Sequence, residues 1–202
     1  TYYHGAQLLL KTSDLGRTWT AVSPDLTRND KTRQGWGGGP ITNEGAGGEV
    51  YATIVVIEES PHDANTMYVG TDDGLIQRTR DGAKTWTNVT PAAWGDGLVN
   101  GIAISPHDAG TLYVSFRKDR LGDPTPHIFV SKDYGATFTR MVNGLRDAEP
   151  VRVVREDTER KGLLYAGTET GVYVSYDAGA QWLPFRGNFP VVPVTDLQVK
   201  HG

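Results

Sequence analysis

One eight-residue segment occurs four times in this chain and constrains its fold more than any other feature. Each copy begins with Ser or Thr, continues with Asp two residues later, and ends with Trp or Phe. Gly or Ala stands at the fifth position, and Thr or Gln at the seventh. We call these segments the boxes; they occupy residues 12–19, 79–86, 131–138 and 175–182. A motif repeated at this frequency indicates a fold built from repeated structural units.

The spacing of the boxes indicates the size of the repeating unit. Their Asp residues are separated by 67, 52 and 44 residues. This pattern is typical of a unit of about 40 to 45 residues with loops of variable length, which is the size of a propeller blade. A second motif supports the same unit, because the segment 60–70 recurs at 105–115 and, in a weaker form, at 155–167.

Each unit is predicted to contain four short strands, A to D. The candidate strands are rich in β-branched and aromatic residues and are bounded by Gly, Pro and Asp. Complete blades are predicted at 50–90, 99–142 and 150–186, strands B, C and D at 1–23, and a strand A at 194–200. The sequence therefore predicts an all-β propeller of four-stranded antiparallel blades, with strands for four blades.

The two partial units allow two arrangements. The strand at 194–199 could pair with 2–6 and close a four-bladed ring, which would remove the exposed sheet edges. Alternatively, the chain is an arc of a larger propeller, and its terminal edges pair with other segments. We favour the arc.

Composition excludes several classes of function. The formal net charge is −4, whereas a nucleic-acid binder needs a basic stripe to neutralise phosphates. There is no cysteine, so disulfides and thiolate zinc sites are excluded. No apolar run approaches the roughly 18 residues of a membrane-spanning helix. We expect neither a metal nor a cofactor.

The boxes are interpreted as structural elements that join strands C and D. An Asp at a turn accepts backbone hydrogen bonds, Gly allows a positive φ, and the aromatic residue packs against the sheet. Carboxylates distributed around a ring do not converge on one catalytic point. Two departures are expected to alter the turns: Ala83 in the Gly position and Gln181 in the Thr position. The predicted structural residues are Asp14, Gly16, Trp19, Asp81, Trp86, Asp133, Gly135, Phe138, Asp177, Gly179 and Trp182.

These segments resemble the Asp-box (BNR) repeat of sialidases, of the sortilin-type Vps10 domain and of xyloglucanase-like glycoside hydrolases. The segments 60–63, 72–75 and 163–172 also look like those of large exported bacterial proteins of the BNR-like type. The resemblance covers nearly the whole chain and implies a β-propeller and an extracellular or periplasmic location. It implies an activity only weakly, since fold does not determine function. Sialidase activity is not expected, because the chain lacks a Phe-Arg-Ile-Pro sequence.

The order of strands predicts which face carries a site. The boxes are C–D turns, and the turns containing His62 and His107 are A–B turns, so both sets lie on one face, where the histidines are expected to serve the turns rather than a metal. The irregular B–C and D–A loops lie on the other face, which we call the loop face. Candidate catalytic residues there are Asp72, Asp73, Asp96 and Glu169. Candidate ligand-binding residues are Trp36, Glu44, Trp94 and Asp123.

Two functions remain open. The favoured one is a non-catalytic propeller that binds a glycan or a protein, or serves as a scaffold in a larger exported bacterial protein. Other blades or another chain would then cover the open edges. The alternative is a xyloglucanase-like glycoside hydrolase, which needs two carboxyl groups about 5 to 9.5 Å apart. Its site would require a second propeller or further blades.

Overall fold

The structure of this protein is a computed structural model that describes residues 1–35, 51–188 and 190–200. In these ranges, four antiparallel sheets follow one another along the chain, one with three strands and three with four. Blade 1 contains β1 (Tyr2–Gly5), β2 (Leu9–Thr12) and β3 (Thr20–Ala21). Blade 2 contains β4 (Ile54–Glu59), β5 (Met67–Thr71), β6 (Ile76–Thr79) and β7 (Thr87–Asn88). Blade 3 contains β8 (Leu98–Ile104), β9 (Leu112–Arg117), β10 (Ile128–Ser131) and β11 (Thr139–Arg140). Blade 4 contains β12 (Val151–Glu156), β13 (Leu164–Thr168), β14 (Val172–Ser175) and β15 (Leu183–Pro184).

Within every sheet, strands adjacent in sequence are adjacent in space. This up-and-down order is that of propeller blades and confirms the predicted all-β fold class. The described parts of the connections contain three short 3-10 helices, at Lys31–Arg33, Ala92–Trp94 and Asp119–Leu121. In the described part of the chain, no helix is long and apolar enough to cross a membrane.

The segment 194–199 differs from the expected strand, because no regular strand is present there. Its first residue nevertheless contacts blade 4 as an inner strand would. The Val194 N–H donates to the Thr168 carbonyl oxygen at 2.8 Å, just as the Ile54 N–H donates to the Ala6 carbonyl oxygen at 2.8 Å. Among the described residues, β1 pairs with β2 and no strand pairing joins it to 194–199.

The hydrophobic core lies between neighbouring blades rather than within a single sheet. One cluster joins blades 1 and 2 and includes Leu9 and Val69. A second joins blades 2 and 3 around Trp94 and Phe116, and a third joins blades 3 and 4 around Trp182. Since each sheet is buried against the next one, the blades stabilise one another as stacked layers.

The boxes form the C–D turns as expected. In box 1, the Thr12 hydroxyl donates to the Asp14 carboxylate at 2.7 Å and accepts the Gly16 N–H at 3.1 Å. The other Asp14 oxygen accepts the Thr18 hydroxyl at 2.7 Å. These hydrogen bonds, that of the Thr18 N–H first among them, lower the pKa of Asp14 to about 2.

Both predicted departures from the box pattern have structural consequences. Ala83 has a φ of +70°, a left-handed conformation that strains a residue with a Cβ. The Gln181 N–H donates to the Asp177 carboxylate at 2.9 Å. Since Gln181 has no hydroxyl, the side-chain hydrogen bond that Thr makes in the other boxes is missing. Its side-chain oxygen instead accepts from the Asn143 side chain at 2.7 Å. The fourth box is thus tied to the preceding D–A loop.

The box tryptophans of blades 2 and 4 contact the preceding blade. The Trp182 indole N–H donates to the Met141 carbonyl oxygen of blade 3 at 2.9 Å, and the side chain is 1% exposed. The Trp86 indole N–H donates to the Val22 carbonyl oxygen of blade 1 at 3.3 Å. Trp19 is 44% exposed and contacts His4 edge-on at 6.0 Å between ring centroids. Burial of a box aromatic therefore depends on the blade that precedes it.

Candidate functional site

A cleft on the loop face lies between blades 2 and 3. Its volume is about 660 Å³. Its walls come from β4 and the D–A loop before it, the β5–β6 turn, the start of β8 and the loop before it, and the end of β9 with the B–C loop that follows. Two of the predicted carboxylates, Asp72 and Asp96, line it. The order of strands therefore brings residues far apart in sequence into one concave site, which is the usual form of a ligand site.

Asp96 forms an ion pair at the edge of the cleft. Its carboxylate lies 2.5 Å from a guanidinium nitrogen of Arg33, and both side chains are partly exposed. The contact with Asp96 and a further hydrogen bond with Tyr51 raise the pKa of Arg33 above its ordinary value. Asp96 is therefore held by a cation, and its exposure to solvent limits the strength of the pair.

Asp72 lies in the wall of the same cleft. One oxygen of its carboxylate accepts the Ala52 N–H at 3.0 Å and the Thr53 N–H at 2.8 Å. Burial raises the pKa of Asp72 above its ordinary value, although the Thr53 hydrogen bond opposes that shift. A carboxyl group with a raised pKa can retain a proton closer to neutrality than a free one.

Asp73 is not open to a ligand, in contrast to the expectation of a candidate catalytic residue. It is 1% exposed. Its carboxylate accepts the Arg28 N–H at 2.7 Å and the Thr71 hydroxyl at 2.5 Å. One oxygen thus holds the preceding D–A loop onto the β5–β6 turn, and the other binds Thr71 at the end of β5, so the buried carboxylate is hydrogen-bonded on both oxygens.

Glu169 lies in a cluster of charged residues that joins blades 3 and 4. Its carboxylate is 2.6 Å from Arg152 and 3.4 Å from Arg117. The Arg117 guanidinium donates two hydrogen bonds to Asp119, at 2.9 and 2.6 Å. Burial opposes ionisation of Asp119, but Arg117 outweighs it and lowers the pKa of Asp119. Only Arg117 and Asp119 of this cluster reach the cleft wall, so Glu169 does not join Asp72 and Asp96 there.

Asp123 organises its own loop. Its carboxylate accepts the Thr125 N–H at 3.0 Å and the Thr125 hydroxyl at 2.6 Å, and lies 3.0 Å from the His127 imidazole. Hydrogen bonds from Thr125 are the main reason why the pKa of Asp123 falls to about 2. Burial lowers the pKa of His127, against the effect of Asp123. Asp123 is not among the residues that line the cleft.

Trp94, predicted as a ligand-binding residue, lies in the core rather than on an open wall of the cleft. Its side chain is 7% exposed and packs among Phe116, Phe129 and Phe138, with ring centroids 5.0, 4.1 and 5.1 Å away. Burial of the indole removes a large apolar surface from water, which stabilises this packing. The other two predicted ligand-binding residues, Trp36 and Glu44, lie outside the described residues.

Sequence reasoning missed several residues around these loops. Arg33, Lys118 and Leu121 line the cleft, and no repeated motif marks them. Glu149 is 1% exposed and accepts hydrogen bonds from Thr168 at 2.6 Å, from Tyr173 at 3.0 Å and from Thr170. Burial opposes its ionisation, but these bonds outweigh it and lower the pKa of Glu149. The hydroxyl-bearing residues in 168–173 were the sequence signal that could have indicated hydrogen-bond donors for a buried carboxylate.

The described residues contain no group of three or more His, Cys, Asp or Glu side chains placed to hold a metal ion. His62 and His107 instead contact the backbone of the next blade, at Ser105 and Asp157. The cleft therefore offers cationic, carboxylic and aliphatic groups, which suit recognition by hydrogen bonds, charge and apolar contact.

Comparison with known proteins is informative at the level of structure. No protein-family model and no curated protein sequence matches the chain. A xyloglucanase of the GH74 family from Xanthomonas campestris is similar, with a TM-score of 0.62, 18% identity and coverage of 93% of this chain and 29% of that one. An ancestral GH74 enzyme gives a TM-score of 0.62, 17% identity, and 91% and 23% coverage.

A structure of YCF48 bound to D1 peptide is also similar, with a TM-score of 0.54, 16% identity, and coverage of 69% of this chain and 41% of YCF48. The chain spans less than half the length of each of these proteins. At such low identity the likeness extends to the fold alone. Together with the four sheets of the structure, these comparisons show that the chain has a β-propeller fold.

Proposed function

We propose that this chain is a non-catalytic β-propeller binding module whose ligand occupies the loop-face cleft. The main support is the state of the predicted carboxylates. Asp96 pairs with Arg33, Asp73 is buried in backbone and hydroxyl contacts, and Glu169 pairs with two arginines away from the cleft. Groups held in this way orient loops and contact ligands, whereas glycoside hydrolysis needs two carboxyl groups free to face the scissile bond.

We also propose that the chain forms an arc of a larger propeller built from Asp-box repeats. Trp19 supports this, because the equivalent Trp182 is 1% exposed beneath the preceding blade while Trp19 is 44% exposed. Val194 adds support, since it contacts blade 4 as the inner strand of a following blade would. Neighbouring blades or another chain would cover Trp19 and would pair with the segment that begins at Val194. Export from a bacterial cell remains a proposal from the Asp-box resemblance.

The second candidate is a glycoside hydrolase of the xyloglucanase type. One observation favours it: Asp72 and Asp96 line the same cleft, and Asp72 has a pKa raised by burial. A carboxyl group of raised pKa is the form that a general acid takes. The likeness to GH74 enzymes agrees with this candidate in fold, and Asp96 would have to leave Arg33 to act.

One experiment separates the two. The chain is incubated with xyloglucan and other β-glucans, and released reducing ends are measured alongside binding on a glycan array and a peptide array. Binding of either ligand class without release supports the module. Release that is abolished by Asp72→Asn, but not by Asp147→Asn at an exposed position outside the cleft, would establish the hydrolase instead.

A further inference from the structure

We propose that the cleft binds an extended peptide segment that presents aliphatic and acidic side chains. This inference rests on the proposed binding function and names the ligand class. It follows from the shape of the cleft, from the aliphatic surface exposed in it and from its two cations that lack a carboxylate partner.

The shape favours an elongated ligand. Val55 lines the loop-face cleft and also a second cavity of about 280 Å³, whose walls come from the inner strands of blades 2, 3 and 4 and from 195–196. The cleft and the second cavity therefore adjoin at Val55, which lines both. A ligand that follows both would be a chain rather than a compact small molecule.

Three aliphatic side chains are among the described residues that line the cleft. Val55 is 49% exposed and Leu121 is 60% exposed, although both are apolar, and Leu98 lies in the wall with them. Val55 occupies the register shift of β4 between Ile54 and Val56, so it is not matched to a residue of β5. Exposed apolar groups that share one concavity are a common mark of a protein-binding surface.

The charges select an acidic partner. Among the described residues, four cations and three carboxylates line the cleft. Arg33 pairs with Asp96, and Arg117 with Asp119. Within the described residues, Lys118 and Arg120 form no salt bridge, although Arg120 lies in the field of Asp119. Acidic side chains in the ligand would complement these two cations.

The aromatic residues favour a peptide over a sugar. Trp94 is buried in the core. Tyr51 is the aromatic residue among the described lining, and it is engaged with Arg33. Stacking on an open aromatic face is therefore not provided by the described wall, whereas aliphatic contact and cation–carboxylate pairing are.

The test uses the whole chain and two arrays. The first carries synthetic dodecapeptides in which acidic, basic or neutral positions are crossed with aliphatic or serine positions. The second carries glycans, including xyloglucan oligosaccharides. We expect binding to peptides that combine acidic and aliphatic residues, and weaker binding when either type is replaced. The affinity should fall as salt is added, because exposed charges are screened.

Variants locate the contact. The double variant Lys118→Glu, Arg120→Glu should weaken binding of the acidic-aliphatic peptide by about tenfold or more, and should improve binding of its lysine counterpart. Leu121→Ser should weaken both peptides. Lys84→Glu and Leu15→Ser, on the box face, are matched controls and should change neither. Thermal unfolding checks that every variant is folded.

Three outcomes would overturn the inference. They differ in whether the proposed binding function is retained. Glycan binding that the cleft variants abolish would retain the binding module and reject the peptide. Peptide binding that the cleft variants do not change would reject this location. If no member of either array is bound, both the peptide and the proposed binding function fail.

Discussion

The Nε2 atom of His62 lies 2.8 Å from the carbonyl oxygen of Ser105, which belongs to the next blade. His107 repeats the contact one blade later, with its Nε2 atom 2.7 Å from the carbonyl oxygen of Asp157. A carbonyl oxygen only accepts hydrogen bonds, so each Nε2 must carry the proton. The A–B turns therefore join neighbouring blades through two equivalent histidines.

Removing either histidine is expected to weaken the blade-to-blade contact. His62→Ala and His107→Ala should each lower the free energy of unfolding by about 1 kcal/mol, the usual net value of one hydrogen bond. Chemical denaturation measures the loss. His4→Ala, in β1, is the control for loss of an imidazole that makes a ring contact with Trp19. Equal losses at all three positions would show that the interblade hydrogen bonds add nothing.

Ala83→Gly is expected to stabilise the protein. Ala83 has a φ of +70°, and the left-handed conformation costs a residue with a Cβ about 1–2 kcal/mol. Glycine removes that strain but adds flexibility to the unfolded chain, worth about 0.4–1 kcal/mol. The net gain should be up to about 1 kcal/mol in denaturation. Ala136→Gly, at a box position without a positive φ, should instead destabilise; a gain at both sites would contradict the strain argument.

Two box tryptophans should differ strongly in their contribution. Trp182→Ala should cost about 3–5 kcal/mol, because a large buried side chain is removed together with its hydrogen bond to Met141. Trp19→Ala should cost much less, since Trp19 is 44% exposed. Thermal and chemical unfolding give both values. A large cost at Trp19 would mean that its exposed face is covered in the folded protein in solution.

The box carboxylates predict a loss of stability in acid. The pKa values of Asp14, Asp81 and Asp133 fall from 3.8 to about 2, mainly through hydrogen bonds from the following Thr. A carboxyl whose pKa is lower in the folded state stabilises the fold fully above its unfolded pKa. That contribution is then lost as the pH falls through about 2. Unfolding curves between about pH 5 and 2 measure it.

One hydroxyl tests the cause of these shifts. Thr85→Val removes the hydroxyl that donates to Asp81 at 2.6 Å, the leading cause of its lowered pKa. The pKa of Asp81 should then rise towards its ordinary value in an NMR titration of the carboxyl carbon. Thr87→Val, on the exposed face of β7, is the control and should leave that pKa unchanged. An unchanged pKa in both variants would reject the hydroxyl as the cause.

The fold was predictable because the boxes are local. Their hydrogen bonds join residues two to four positions apart, as between Thr12, Asp14 and Gly16. These hydrogen bonds form within eight consecutive residues, so they recur wherever the eight-residue motif recurs. The same locality identified Ala83 and Gln181 as departures, although box 2 keeps the hydrogen bonds of box 1 around Ala83 and box 4 lacks only the hydroxyl contact. The absence of a regular strand at 194–199 was not predictable, since strand formation there depends on a pairing partner rather than on the segment itself.

The site was less predictable because its contacts are remote in sequence. Arg33 meets Asp96 across 63 positions, and Arg28 meets Asp73 across 45. The order of strands placed Asp73 and Asp96 on the loop face but did not show which carboxylates would be paired or buried. Trp94 illustrates the same limit, because only the packing of Phe116, Phe129 and Phe138 around it reveals that it belongs to the core.

In blades 2, 3 and 4, the box turn is tied to the A–B turn of its own blade by a backbone hydrogen bond. Examples are Gly82 to Asn65 at 3.0 Å, Tyr134 to Gly110 at 2.9 Å and Ala178 to Gly162 at 2.9 Å. On that face the turns keep one length in every blade, while the loops on the opposite face differ in length. Insertions in the loops opposite the boxes therefore leave the strand register unchanged. The protein can serve as a scaffold in which those loops are exchanged while the blades keep their sequence.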